Sequence, residues 1–220
     1  MLRIFYEHAG ANMKLQISFD VADLNKAIEI AGSVVDQCDI FEINSILLYK
    51  YGIEAVSRFR TAFPDKTLVV DTKLVDTSKS AIPMMAQAGA NWITVLAGST
   101  QEAIYSLCKE ASRYNLKVLL DLVDSSYKGQ SAMEAKNLGA DALLFYQPYS
   151  AATSLTFIDT WEMVKGNASL PIFISADINR ENVNRIMLLK PDTLIVGKSI
   201  VQMADPAKEA QFYYDLIGKD

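Results

Sequence analysis

Short apolar runs alternate along the chain with longer stretches whose apolar residues recur at helical spacing. The runs LQISFD (15–20), DIFEIN (39–44), TLVV (67–70) and WITVL (92–96) read as buried strands, as do KVLLDLVD (117–124), ALLFY (142–146), PIFIS (171–175) and TLIVG (193–197). Helices are predicted over 24–35, 46–62, 78–88, 101–114, 131–138, 152–165, 180–189 and 206–217. In the first of these, Leu24, Ala27, Ile28, Ala31 and Val34 share one face. Gly89 and Gly139 mark helix ends, and Pro64-Asp65 breaks another. Strand and helix alternate eight times with no linker or low-complexity stretch, which implies a parallel sheet covered by helices. Eight such units predict a closed (β/α)8 TIM barrel over residues 13–220. A doubly wound open sheet is the alternative; the G-x-G-x-x-G expected after its first strand is missing.

Composition narrows the function. The 220 residues are 50% hydrophobic, enough for one large core. A net charge of −5 argues against binding a nucleic-acid backbone, although a few local donors can still hold a small anion. No apolar run is long enough to span a bilayer. Cys38 and Cys108 lie in apolar segments without metal-like spacing and read as buried thiols, which fits a reducing, cytoplasmic setting. The one histidine, His8, precedes the first strand, so histidine catalysis and histidine metal sites are not expected in the domain. Met13 opens MKLQISFD like a natural start, and residues 1–12 are expected to be an extension outside the barrel.

The chemistry collects at strand ends. After the third strand come Asp71, Lys73 and Asp76, a D-x-K-x-x-D pattern. In an extended segment Asp71 and Lys73 point to the same side, while Asp76 lies beyond in a loop. Such a cluster alone reads better as surface ion pairing. At the C-terminal mouth of a barrel, where active sites of this fold sit, it reads as a site. Asp20, Glu42, Asp121, Asp124 and Lys198 are expected on the same rim, with Asp124 taken as a solvated loop acid. An oxygen-rich set suits Mg²⁺ rather than zinc, and Glu42 and Asp71 on neighbouring strands are the expected pair of ligands.

These motifs, with AGANWITVLAG, LGADAL and IVGKSIVQMADPAKEA in the same order, give the chain a resemblance to the orotidine 5′-monophosphate decarboxylase superfamily. It most resembles the branch of 3-keto-L-gulonate-6-phosphate decarboxylase and D-arabino-hex-3-ulose-6-phosphate synthase. Orotidylate decarboxylases usually carry lysine where this chain has Glu42. The resemblance implies a homodimer with sites at its interface, a phosphorylated sugar substrate, Mg²⁺ on Glu42 and Asp71, and Lys73 near the reacting carbon. It implies an Asp76 lent by the partner subunit and an Asp20 in contact with substrate. Asp121, Ser175, Gly197 and Lys198 are expected at further substrate-binding positions. The chemistry runs through an enediolate, common to decarboxylation and to aldol addition of formaldehyde. The chain departs from the branch in places. Phe145-Tyr146-Gln147-Pro148 stands where the branch has a histidine, leaving Tyr146 as candidate proton donor. Ser175-Ala176-Asp177-Ile178 stands in place of a Gly-Gly phosphate turn, and Lys198 stands where the decarboxylases often have arginine. The alternatives are a non-catalytic sugar-phosphate or anion-binding paralogue, and an enzyme using the same scaffold on another substrate.

Overall fold

A computed structural model describes residues 13–218; the expected extension at 1–12, with His8, lies outside them. Eight parallel strands close into a barrel in sequence order: β1 (Lys14–Ser18), β2 (Ile40–Ile43), β3 (Thr67–Leu74), β4 (Trp92–Leu96), β5 (Lys117–Asp121), β6 (Ala142–Tyr146), β7 (Ile172–Ser175) and β8 (Thr193–Val196). The barrel closes where β1 pairs with β8, Leu15 opposite Leu194. The predicted TIM barrel is therefore the observed fold. The helices around it are α1 (Leu24–Ser33), α2 (Ser45–Tyr51), α3 (Ile53–Ala62), α4 (Ser78–Gln87), α5 (Gln101–Arg113), α6 (Lys128–Glu134), α7 (Ser154–Asn167), α8 (Val183–Met187), α9 (Lys198–Val201) and α10 (Pro206–Leu216).

Strand alternation divides the apolar residues into two cores. Ile40, Val69, Leu119, Leu144, Phe173 and Ile195 fill the barrel interior with Trp92 packed beneath them. Their neighbours in sequence point outward into the larger layer between sheet and helices. There Phe19, Phe41, Phe59 and Phe63 form a cluster of edge-to-face and tilted ring pairs with centroids 5.1–6.3 Å apart. Stepping two residues along each strand from the interior plug reaches the mouth. From Ile40 that residue is Glu42, from Val69 Asp71, from Leu119 Asp121, from Leu144 Tyr146, from Phe173 Ser175 and from Ile195 Gly197.

At the opposite end of the barrel Arg60, on α3, ties together the loops that lead into β3 and β4. Its guanidinium donates to the carbonyls of Gly89 (2.9 Å), Phe63 (3.2 Å), Pro64 (2.7 Å) and Lys66 (2.9 Å), and to Asn91 Oδ1 (2.6 Å). Gly89 sits at φ +96°, and a Cβ there would lie 2.5 Å from Arg60 Cγ, so both backbone and space require glycine.

Several boundaries differ from expectation. The single helix predicted over 46–62 is two, because Gly52 takes φ 57° and ψ −140° and ends α2 by donating to Leu48 O. The helix predicted over 180–189 shrinks to α8, since the side chains of Asn179 and Asn182 take the preceding backbone N–H groups. The stretch predicted over 131–138 begins earlier, at Lys128, and ends at Glu134. The first and fifth strands stop at Ser18 and Asp121, short of the acids expected to end them. Short helix α9 has no counterpart among the predicted elements. Cys38 and Cys108 are buried and outside any disulfide, and burial pushes the Cys108 thiol up to about 12. Among the described residues no helix is long and apolar enough to cross a membrane.

Candidate active site

The mouth residues surround a cavity of about 520 Å³. Its floor is built by β1 to β5. Glu42 and Asp71 are almost wholly buried and come from adjacent strands, where Glu42 pairs with Val69 in register. The two oxygens of Glu42 accept from Gln16 Nε2 (2.6 Å) and Ser18 Oγ (2.8 Å). Burial, and then the neighbouring Asp71 charge, push the Glu42 carboxyl up from 4.5 to about 7. The oxygen of the Gln16 amide is buried with no partner.

Lys73 joins the second pair of acids. Its Nζ lies 3.0 Å from Asp71 Oδ1 and 2.9 Å from Asp121 Oδ2. Burial opposes its charge, but Asp71 and Asp121 outweigh that effect and hold the ammonium above the ordinary lysine range. Burial also raises the Asp121 carboxyl against the lowering influence of Lys73. Lys73 is therefore a fixed cation rather than a proton acceptor at neutral pH.

Lys73 does not reach this position by simple alternation. The β3–β4 register shifts between Val70 and Leu74, and Lys73 takes φ 46°. Thr94 holds that bulge. Thr72 Oγ1 donates to Thr94 O (2.7 Å), Lys73 N–H to Thr94 Oγ1 (2.8 Å), and Thr94 Oγ1 to Asp71 Oδ1 (3.0 Å). The expected convergence of Asp71 and Lys73 thus holds, but its cause is a bulge pinned by a neighbouring strand.

The other side of the cavity is formed by the ends of β6 to β8. Tyr146, Ser175, Asp177, Gly197 and Lys198 line it with Asp20. Lys198 Nζ stands 3.6 Å from Asp20 Oδ2. Burial, then Asp177, raise the Tyr146 hydroxyl, which keeps it protonated at neutral pH. Asp76 is exposed and does not line the cavity of its own chain. Asp124 accepts from Gly98 N–H (2.9 Å), a loop-holding role away from the main cavity. Gln16, Ser18 and Thr94 belong to the site but are not among the expected residues. Their signal is faint: polar side chains at inward positions of otherwise apolar strands.

Glu42 and Asp71 fit a hard divalent cation. They are adjacent, oxygen-only and mutually repelling, and a cation between them would relieve the repulsion that raises Glu42. Among the described residues no group of three or more His, Cys, Asp or Glu is close enough to hold a metal. Such a cation would complete its shell from water or substrate oxygens, as Mg²⁺ ordinarily does.

The family model described as "Orotidine 5'-phosphate decarboxylase / HUMPS family" matches residues 13–213. The 3-hexulose-6-phosphate synthase of Bacillus subtilis (strain 168) is 28% identical over 209 residues, covering 93% of this chain and 99% of that protein. That of Mycobacterium gastri is 26% identical over 200 residues, covering 90% and 97%. Among solved structures, the 3-hexulose-6-phosphate synthase of Salmonella typhimurium superposes with a TM-score of 0.83 at 27% identity, covering 93% of this chain and 98% of that one. KGPDC from Streptococcus mutans superposes with a TM-score of 0.81 at 23% identity, covering 94% and 97%.

Proposed function

The chain belongs to the orotidine 5′-phosphate decarboxylase / HUMPS family, and from that premise we propose that it is an enzyme, a Mg²⁺-dependent carbon–carbon lyase acting on a phosphorylated keto-sugar. The observation that carries the reading is the floor of the cavity: a lysine held charged between Asp71 and Asp121, beside the paired carboxylates of Glu42 and Asp71.

Glu42 and Asp71 would hold the metal, which when bound supplies Lewis-acid stabilisation of negative charge developing on substrate oxygens. Gln16 and Ser18 orient Glu42, and Thr94 orients Asp71, so the two carboxylates that would hold the cation are fixed in place. Lys73 adds a second positive charge, placed before the reaction by its two acids and thus costing little reorganisation when charge develops. Tyr146, kept protonated, is placed to donate to substrate from the opposite wall, in the position expected for a proton donor. The phosphate of the substrate belongs at the β7–β8 end, where Ser175 offers a hydroxyl and Lys198 a charge. The exposed Asp76 would serve the neighbouring site of a homodimer. A cytoplasmic setting remains the expectation for such a metabolic enzyme.

The test is turnover with Mg²⁺ on two substrates in parallel. One is ribulose 5-phosphate with formaldehyde, followed by formaldehyde loss, which the synthase relatives make the first choice. The other is 3-keto-L-gulonate 6-phosphate, followed by CO₂ release. Turnover of either supports the reading and fixes the reaction. Inertness toward both, from folded protein that Mg²⁺ stabilises, would refute it.

A further inference from the structure

Glu42 owes its setting to more than its two direct partners. Ser18 lies opposite Glu42 in the β1–β2 register, is buried, and gives its hydroxyl hydrogen to Glu42 Oε1. The oxygen of that hydroxyl accepts in turn from Asn44 Nδ2 at 3.2 Å. Asn44 lies two residues beyond Glu42 in extended backbone (φ −65°, ψ 151°), which turns both side chains toward the mouth, and it lines the same cavity. Asn44 is also the N-cap of α2. Its Oδ1 accepts from Ile46 N–H at 3.1 Å and its carbonyl from Leu47 N–H at 3.0 Å. The buried Leu47 anchors that helix in the layer between sheet and helices.

These contacts have one possible direction. A backbone N–H only donates, so the atom of Asn44 that faces Ile46 N–H is the amide oxygen. Nδ2 therefore faces Ser18, and an NH₂ group also only donates. The Ser18 oxygen, having taken that hydrogen, gives its own to Glu42, which as a carboxylate only accepts. The chain of bonds thus runs from a main-chain donor at the start of α2, through the Asn44 amide and the Ser18 hydroxyl, to the floor of the cavity. With Gln16 Nε2 bonded to Oε2, each oxygen of Glu42 receives one hydrogen from β1 and keeps lone-pair capacity for a cation. Without Asn44 the Ser18 oxygen loses that donor, and its hydroxyl is free to rotate away from Glu42.

We propose that Asn44 is a positioning residue of the metal site: it fixes the Ser18 hydroxyl as a donor and through it holds the Glu42 carboxylate ready for a divalent cation. In this role Asn44 touches neither the metal nor the reacting atoms. Because the same side chain starts α2, the order of the cavity floor and the start of that helix depend on one residue. This rests on the reading of Glu42 and Asp71 as ligands of Mg²⁺.

Calorimetric titration of the intact protein with Mg²⁺ alone is the test, on wild type, Asn44→Ser, Ser18→Ala and the double variant. Serine caps a helix about as well as asparagine, but its side chain is one bond too short to donate to Ser18 while it caps. Melting of Asn44→Ser in EDTA should therefore stay within about 4 °C of wild type, the weight of one hydrogen bond in a domain of this size. Ser18→Ala should weaken Mg²⁺ about tenfold, as loss of a partner that orients a metal-binding carboxylate ordinarily does, and Asn44→Ser about fivefold. The double variant should be no more than about twofold weaker than Ser18→Ala, because Asn44 acts only through Ser18. Mg²⁺ affinity unchanged in Asn44→Ser, or its loss repeated in full on top of Ser18→Ala, would overturn the assignment. A larger fall in melting would make Asn44 a structural cap and overturn it too. Asp71→Ala tells the two claims apart. Binding shown by wild type and lost in Asp71→Ala supports the metal reading, so that an additive or absent effect of Asn44→Ser overturns Asn44 alone. Wild type that binds no Mg²⁺, or binds it equally without Asp71, overturns both.

Discussion

Replacing Glu42 by Gln should make the metal-free protein more stable, and only at neutral and alkaline pH. The Glu42 carboxyl is buried and titrates near 7 rather than 4.5, first through burial and then through Asp71. Because the folded-state value lies above the ordinary one, the folded protein retains a proton that the unfolded chain releases. Stability contributed by that proton is present at low pH and is lost as pH rises from 4.5 through 7. The difference corresponds to about 3 kcal/mol at pH 8, at 1.36 kcal/mol per pH unit. A glutamine avoids this loss and fits the local bonding. The buried, partnerless oxygen of Gln16 can turn to accept from the new amide, and the remaining amide oxygen still accepts from Ser18. Thermal denaturation in EDTA at pH 5 and pH 8 reads the effect. For a domain of this size, about 3 kcal/mol corresponds to a rise in Tm of roughly 6–12 °C at pH 8, shrinking toward zero at pH 5. Added Mg²⁺ should stabilise wild type at pH 8 and leave the variant unmoved. A variant less stable than wild type at pH 8, or a difference that does not change with pH, would refute the argument that ionised Glu42 is held against its preference.

Lys73→Met should lower kcat by about 10²–10³ or more by removing the fixed charge; it also leaves the buried carboxylates of Asp71 and Asp121 without their ammonium, which should cost about 3–5 kcal/mol in denaturation at neutral pH. Thr94→Val removes the hydroxyl that joins Lys73 N–H to Asp71, and steady-state kinetics should show kcat falling roughly 10–100-fold with the fold intact by circular dichroism. Arg60→Met should do the reverse. It strips donors from four backbone carbonyls at the far end of the barrel, costing about 2–4 kcal/mol in urea denaturation while kcat is unchanged below the transition.

The barrel is legible in the sequence because each strand is a short run of β-branched and apolar residues between helical patterns, and eight such units have few other ways to close. Most of the mouth is legible for a related reason. Glu42, Asp71 and Asp121 are acids two residues beyond an apolar residue of the interior plug, so strand alternation points them inward. The arrangement of Lys73 is less accessible. A register shift depends on the neighbouring strand, and nothing within TLVVDTKL records that Thr94 will hold it. Gly52 divides a pattern that is helical on both sides, and only the sign of its φ reveals the break. Ser18, Gln16 and Thr94 read as ordinary strand residues because their importance lies in what they touch across 21 to 26 positions of chain. Asp76 falls beyond the end of β3, as its position in the motif implies.

The bulge in β3 also turns one backbone amide into a reporter. The Lys73 N–H is bonded to the Thr94 hydroxyl instead of to a strand carbonyl, and the same hydroxyl orients Asp71. Its hydrogen–deuterium exchange therefore follows the order of the site rather than the opening of the sheet. Ligands that tighten Asp71 should slow exchange at Lys73 while the amides of Leu68 to Val70 in the same strand stay as they were, which gives binding a readout before any substrate is known.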